Sequence, residues 1–223
     1  MNPPPSFLRR ALVHRSFVVG GAISLLLLLA ALLSLVWTPW PPYAMDLQAK
    51  LLPPSAAHWL GTDVYGRDVA SLLLLGARSA IVVGVVAVGI GLFIGTALGL
   101  LAAAQRGWVE EVTMRISDFT LAFPAILWAI TWGHVLPNIA PALIVQVSIR
   151  FAVAILAEAA LSYLGLGTQP PQASWGRLLS EAQTLLYQAP MLAVYPGCAI
   201  ALAVLGLNLL GDGLRDLLDP RLR

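Results

Sequence analysis

The stretch that decides the fold is SAIVVGVVAVGIGLFIGTALGLLAAA, residues 79–104, which contains no charged side chain. A helix needs about 20 predominantly apolar residues to cross roughly 30 Å of hydrocarbon. The stretch exceeds that length, and a longer apolar helix fits a bilayer by tilting. It therefore predicts a membrane-spanning helix.

The same stretch carries small residues at every fourth position, which places them on one helix face: Ala87, Gly91, Gly95, Gly99 and Ala103. A face of small residues lets a second backbone approach closely, and such packing drives helix association in lipid. The glycines do not fit the G-x-G-x-x-G pattern of a dinucleotide loop, and no βαβ pattern surrounds them. We interpret this small-residue ladder as a packing surface for a helix of this chain or of a partner.

The rest of the chain is also rich in hydrophobic residues. Hydrophobic residues make up 59% of the sequence and charged residues 11%, whereas about 25% of an ordinary soluble domain is charged. Four further hydrophobic segments are visible: Phe17–Val36, Ile116–Gly133, Ala142–Leu164 and Ala189–Gly211. The sequence therefore predicts an all-α, polytopic helical membrane protein with four to five hydrophobic segments, embedded in the lipid bilayer.

The first hydrophobic segment is preceded by Arg9, Arg10 and Arg15. Short cytoplasmic segments are enriched in Lys and Arg, so we expect a cytoplasmic N-terminus. Residues 38–78 and 165–188 are then predicted to lie outside the cytoplasm.

A signal peptide also begins with basic residues and an apolar run. This run is too long for one, and no small-x-small cleavage site follows it. It ends instead at Trp37, Pro39 and Trp40, which suits an aromatic belt at the membrane interface. We expect an uncleaved first helix.

The count of spans depends on Ile116–Gly133, the shortest hydrophobic segment, which carries Asp118 and Pro124. Five spans would place Arg221 and Arg223 outside the cytoplasm, against the usual distribution of basic residues. We therefore predict four full spans, with both ends of the chain in the cytoplasm.

No catalytic, cofactor-binding or metal site is predicted. Neither H-E-x-x-H nor G-x-S-x-G occurs, and a single cysteine, Cys198, excludes a cysteine-based zinc site. A net charge of +2 without a basic, aromatic-rich patch argues against a nucleic-acid partner. The ionisable residue Glu158 lies near membrane depth, eight residues after Arg150. It marks either a functional site or a position close enough to a helix end to reach water or a backbone donor, and we favour the second explanation.

Several motifs resemble one family. The first is HWLGTDVYGRDV at residues 58–69, with motif residues Gly61, Thr62, Asp63, Gly66, Arg67 and Asp68. Others are LAFP at 121–124, AEA at 157–159, LGLG at 164–167, SWG at 174–176 and NLLGDGLRD at 208–216. Together they resemble the permeases of dipeptide, oligopeptide and nickel ABC importers, over nearly the whole chain.

The resemblance implies one transmembrane permease domain over residues 1–223, in a bacterial inner membrane. Such a subunit forms half of the translocation pathway for peptides or nickel, together with a second permease, ATP-binding subunits and an extracytoplasmic solute-binding protein. The chain lacks G-x-x-x-x-G-K-[ST], so ATP would be bound by its partners and not by the chain itself. The resemblance predicts a transporter and not an enzyme.

One departure concerns the cytoplasmic loop with which the family docks onto its ATPase, which bears Glu-Ala-Ala-x-x-x-Gly. Here only a segment similar to the tail of that loop is present: His134, Val135, Leu136, Pro137 and Asn138. Glu158-Ala159-Ala160 is not this motif, because its next glycine, Gly165, comes one residue too late. We expect an internal deletion in the region 116–141. The alternatives are a transport-incompetent permease remnant and a membrane anchor or assembly subunit without a pore.

Overall fold

The computed structural model describes residues 11–104 and 135–218, with side chains for 11–97 and 143–218. Five α-helices follow one another: α1 Arg15–Val36, α2 Val69–Ala104, α3 Val135–Tyr163, α4 Trp175–Ala182 and α5 Met191–Leu218. A short 3₁₀ turn, Gln183–Leu185, continues α4. The described ranges contain no strand beyond an isolated bridge between Thr62 and Asp68, which confirms the all-α prediction.

Four of these helices are long and apolar enough to cross a membrane: α1, α2 over Val69–Ala97, α3 over Leu143–Tyr163, and α5. They confirm a polytopic helical membrane protein. The segment Ile116–Gly133, which the predicted count of four full spans leaves out, lies outside the described residues. Arg221 and Arg223 lie outside them as well.

Three helix boundaries differ by seven residues or more from those predicted: the starts of α2 and α3, and the end of α5, which lies at Leu218 and not at Gly211. Helix α2 begins at Val69 and not at Ser79, so its first ten residues belong to the stretch 38–78 that was predicted to lie outside the cytoplasm. The Asp68 side chain accepts the backbone N–H of Ser71 at 2.8 Å, which satisfies a donor that a helix start leaves unbonded.

Helix α3 begins at Val135, seven residues before the start of the predicted segment Ala142–Leu164. Pro137 lies within its first turn. Proline is compatible with that position because the N–H groups of a first turn have no partner within the helix.

Helices α1 and α5 pack through glycines at backbone distance. A Cβ atom at Gly206 would collide with Ile23, and one at Gly213 would collide with the backbone of Phe17. A Cβ atom at Gly20 would collide with the backbone of α5. These glycines allow the close approach that stabilises helix pairs in lipid.

The paired residues also give the direction of the helices. Phe17 precedes Ile23 in α1, whereas their partners Gly213 and Gly206 occur in the reverse order, so α1 and α5 are antiparallel. Near the start of α1, His14 Nε2 lies 3.3 Å from Asp216 Oδ2. The first and last described residues therefore lie at the same end of the bundle.

The small-residue ladder of α2 does not pack within the described part of the chain. A Cβ atom at Gly91 or Gly95 would meet nothing within 4 Å, and Ala87 is exposed. The side chains of Gly99 and Ala103 lie outside the described set. The α2 glycines that do pack are Gly76, against Trp175, and Gly84, against Phe151. That the ladder meets a helix of a partner remains a prediction.

Candidate functional site

The predicted motif residues gather at one end of the bundle, in a structure that we call the cap, residues 37–68 and 164–190. Here α1 and α3 end, and α2 and α5 begin. The two parts of the cap meet through α2: Ser79 Oγ donates to the carbonyl oxygen of Ala173 at 2.9 Å, and Trp175 Nε1 donates to that of Leu73 at 3.0 Å.

Asp63 organises the loop that carries HWLGTDVYGRDV, residues 58–69, which we call the motif loop. Its Oδ1 atom accepts the backbone N–H groups of Tyr65 and Arg67, each at 2.8 Å, and its Oδ2 atom accepts Arg67 Nε at 2.6 Å. Gly61 and Gly66 have φ angles of +78° and +74°, in the left-handed region that glycine enters at little cost. The spacing T-D-x-x-G-R-D is thus explained by a tight turn closed by its own aspartate.

Arg67 joins this turn to α4. Its Nη2 atom donates to Glu181 Oε2 at 2.7 Å, and Arg177 Nε donates to Glu181 Oε1 at 3.0 Å. We call Asp63, Arg67, Arg177 and Glu181 the charge cluster. Asp63 and Arg67 are buried, with 6% and 7% of their surface exposed. Burial by itself lowers the pKa of Arg67, but attraction and hydrogen bonds to Asp63 and Glu181 outweigh it and raise the pKa. Arg67 therefore stays charged.

Asp68 forms a second connection. Its Oδ1 atom lies 3.0 Å from His58 Nδ1, and its Oδ2 atom accepts the Ser71 hydroxyl at 2.7 Å. The same hydroxyl oxygen accepts the backbone N–H of Trp40 at 3.0 Å. The loop between α1 and α2 is thus held at both of its ends. Trp40, near its start, and Asp68, at its end, both bond to Ser71 in the first turn of α2.

Thr62 completes the loop. Its hydroxyl accepts the backbone N–H of Leu52 at 2.8 Å and donates to the carbonyl oxygen of Ala49. The four polar motif residues are therefore bonded to their own surroundings, and the two glycines provide the turns. The motif builds and anchors the cap.

Glu158 is buried, with 8% of its surface exposed, five residues before the end of α3. Its Oε1 atom accepts the hydroxyl groups of Ser162 at 2.6 Å and Thr168 at 3.1 Å. The backbone N–H of Thr168 in turn donates to Ser162 Oγ at 2.9 Å. These bonds shape the turn after α3. The donors are side-chain hydroxyls, whereas water or a backbone donor was expected from the sequence for a charge near a helix end.

Helix α4 and the role of Glu181 were missed by sequence reasoning, which predicted that residues 165–188 lie outside the cytoplasm and carry the motif SWG, but predicted no helix there. The local signal was present. Ser174 is the N-terminal capping residue, and its hydroxyl accepts the Arg177 N–H at 3.2 Å. Arg177 and Glu181 have the i, i+4 spacing of a helical ion pair. Nothing in that pattern indicated that Glu181 would meet Arg67.

The segment that resembles the tail of a coupling loop lies at the other end of the bundle. Val135, Leu136, Pro137 and Asn138 form the start of α3, and α3 ends in the cap. His134 lies outside the described residues. The structure thus separates this segment from the cap motif by the length of a membrane-spanning helix.

Comparison with known proteins places these features in a family. Residues 127–223 match the model described as "Binding-protein-dependent transport system inner membrane component", and residues 6–54 match "N-terminal TM domain of oligopeptide transport permease C". The second match includes α1 and residues 37–54 of the cap.

Whole-chain relatives agree. The chain is 34% identical to a glutathione transport system permease protein of Pectobacterium atrosepticum, covering 100% of this chain and 92% of the relative. It is 33% identical to a probable D,D-dipeptide transport system permease protein of Escherichia coli, over 89% of this chain and 86% of the relative. It is 35% identical to a dipeptide transport system permease protein of Alkalihalophilus pseudofirmus, over 78% of this chain and 75% of the relative.

The first alignment extends over 285 residues, although the chain has 223, so the relative contains positions without a counterpart here. The relatives are transport permeases and not enzymes. With four candidate spans and matches to both family models, the chain is a multi-pass inner-membrane protein that belongs to the family of binding-protein-dependent transport system inner membrane components.

Proposed function

We propose that the chain is the permease subunit of an ATP-driven importer for peptides and forms half of its translocation pathway. The observation that carries this proposal is the whole-chain match to permeases whose names specify glutathione, D,D-dipeptides and dipeptides. All three are short peptides. These matches favour a peptide over nickel, and a pathway subunit over an anchor without a pore.

The proposed assembly contains a second permease, two ATP-binding subunits and an extracytoplasmic solute-binding protein. The matched family is described as binding-protein-dependent, which supports the last of these. ATP would be bound by the ATP-binding subunits. The cap would face the solute-binding protein, because it lies at the end of the bundle opposite to the basic start of α1 at Arg15. The N-terminus would then be cytoplasmic.

The cap suits a mechanism of alternating access. The charge cluster joins the loop between α1 and α2 to α4, and α4 packs against α5. Such a connected unit can move as one body when the spans rearrange. A partner shifts this equilibrium only through contacts that differ between the two states.

The coupling of ATP binding to motion of this subunit depends on a docking loop. The relative's additional aligned positions support an internal deletion, which we place in the region 116–141. Helix α2 begins, and α3 ends, in the cap, so the last described residues of α2 and the first of α3 lie at the opposite end of the bundle. In the proposed orientation that end is cytoplasmic. A docking loop missing there would remove the contacts through which ATP binding acts on this subunit.

The experiment replaces the intact homologous permease of a peptide importer with this chain and measures uptake of a radiolabelled dipeptide. Membrane insertion is confirmed separately by immunoblotting of washed membranes. We expect uptake near background for the chain itself. We expect recovery when the fourth helix and docking loop of the homologue are grafted between Leu127 and His134.

The outcomes separate the alternatives. Uptake at the level of the intact permease would contradict the loss of coupling but would support a peptide pathway. An inserted graft that assembles with the other subunits and remains inactive would contradict the peptide pathway itself and favour an anchor.

A further inference from the structure

Three tryptophans gather where α1 leaves the bundle. The ring centroids of Trp37 and Trp59 are 6.3 Å apart. Trp40 stacks on His58, the neighbour of Trp59, at a centroid distance of 4.9 Å, and its Nε1 atom donates to Ala57 O at 2.7 Å. We call Trp37, Trp40 and Trp59 the indole collar.

The two adjoining spans fix the depth of the collar. Helix α1 has 22 residues, and at about 1.5 Å per residue it is roughly 33 Å long, close to the ~30 Å of a hydrocarbon core. Trp37, which directly follows α1, therefore reaches the boundary of the hydrocarbon. The backbone N–H of Trp40 donates to the Ser71 hydroxyl in the first turn of α2, which holds the collar at the level where α2 enters.

The collar is amphipathic and half exposed. The exposed fractions are 47% for Trp37, 45% for Trp40 and 59% for Trp59. The surface continues directly onto the apolar end of α1, where Val36 is 85% exposed and Leu35 is 56% exposed. Indole rings combine a large apolar surface with one N–H donor, and they concentrate at the headgroup level of bilayers.

We propose that the indole collar binds the phospholipid headgroup layer and anchors the cap on the membrane surface. The lipid surface is the occupant because the collar is continuous with the wall of α1 and lies at the depth where indoles are most stable. Trp59 is the informative member. It lies 22 residues beyond Trp37 in the chain, in a stretch predicted to lie outside the cytoplasm, and only the fold returns it to the membrane boundary. The collar would leave the remaining cap surface for a soluble partner.

Nitroxide accessibility tests this proposal on the full chain in vesicles of phosphatidylethanolamine and phosphatidylglycerol. The variants Trp59→Cys and Trp37→Cys are made separately in a Cys198→Ala background and spin-labelled. Lys50→Cys is the control, because Lys50 is an exposed charged residue of the same loop. Collisions with oxygen, which concentrates in lipid, and with a water-soluble nickel chelate are measured by electron paramagnetic resonance.

We expect a several-fold higher ratio of oxygen to nickel accessibility at positions 59 and 37 than at position 50. Agreement between 59 and 37 supports a common depth, and it guards against a local effect of either substitution. A label at 59 with the same ratio as that at 50 would overturn the proposal. So would a label at 59 that is shielded from both reagents, because that result indicates coverage by protein.

Discussion

Arg67 and Glu181 are separated by 114 residues of sequence, yet the Nη2 atom of one lies 2.7 Å from the Oε2 atom of the other. This contact joins the loop between α1 and α2 to α4, and so connects the two parts of the cap. Arg67 also closes the turn around Asp63. One guanidinium thus holds both the local shape of the motif loop and its position.

Replacing Arg67 tests that relationship. Arg67→Ala would leave two carboxylates, Asp63 and Glu181, without their shared cation. Removing one partner of a buried ion pair costs about 3–5 kcal/mol. We expect the largest loss of thermal stability in the cap for this variant, measured by circular dichroism of the purified chain in detergent. Arg67→Lys should lie between it and the parent, because Lys keeps the charge but loses the forked geometry.

Arg177→Ala is the matched control. The Arg177 side chain is 27% exposed, and its pair with Glu181 has i, i+4 spacing, so its loss should cost only about 0.5 kcal/mol. Equal losses from Arg67→Ala and Arg177→Ala would contradict the central role of Arg67.

The raised pKa of Arg67 means that its contribution to folding stability persists below the ordinary guanidinium pKa and is lost only above it. Neutral and moderately alkaline pH should leave this contribution intact.

Two glycines should respond differently to the same substitution. Gly206→Leu inserts a side chain into the contact with Ile23, so we expect the chain itself to lose stability, by thermal denaturation in detergent. Gly95→Leu projects into open space, so the isolated chain should be unaffected. If the small-residue ladder meets the second permease, Gly95→Leu should instead weaken detergent-resistant assembly of the complex. Unchanged assembly would rule out that role for the ladder.

The orientation of the cap can be read by cysteine labelling of intact cells. Ser55 in the first part of the cap is exposed, and Tyr187 in the second part is fully exposed. Cysteines at these positions, in a Cys198→Ala background, should react with an impermeant maleimide without lysis. Ser174, in the second part of the cap, is unsuitable for labelling because it is buried and caps α4. Reaction only after lysis would reverse the proposed orientation.

The position of the C-terminus follows from the contact between His14 and Asp216. Because both described ends lie together, an even number of crossings separates them. We expect a C-terminal alkaline phosphatase fusion to be inactive and a C-terminal green fluorescent protein fusion to be fluorescent, as both proteins report a cytoplasmic position. The opposite pair of results would place the C-terminus outside the cytoplasm and would refute the predicted arrangement, in which both ends of the chain are cytoplasmic.

Local features of the sequence explain how much could be predicted. The spans of α1, α3 and α5 were located to within a few residues, except at the start of α3 and the end of α5, because each is a long and largely apolar run. The start of α2 was placed ten residues late, at Ser79 and not at Val69, because Arg78 interrupts the hydropathy without interrupting the helix. The four polar residues of the cap motif were singled out by resemblance alone, and the structure adds that each is bonded within the cap.

The membrane-spanning architecture was determined by the sequence itself, because the free energy of transferring a helix into lipid is a sum over some twenty consecutive side chains. Packing was decided only by the tertiary structure. Spacing of four identifies a face on α2 where a backbone can approach, but it does not identify the helix that packs there. In the described part of the chain, close backbone packing occurs at Gly206 and Gly213 of α5, because α1 lies beside α5. Likewise, Arg67 could have met any carboxylate in the chain. Such contacts depend on residues far apart in sequence, and only the assembled bundle brings them together.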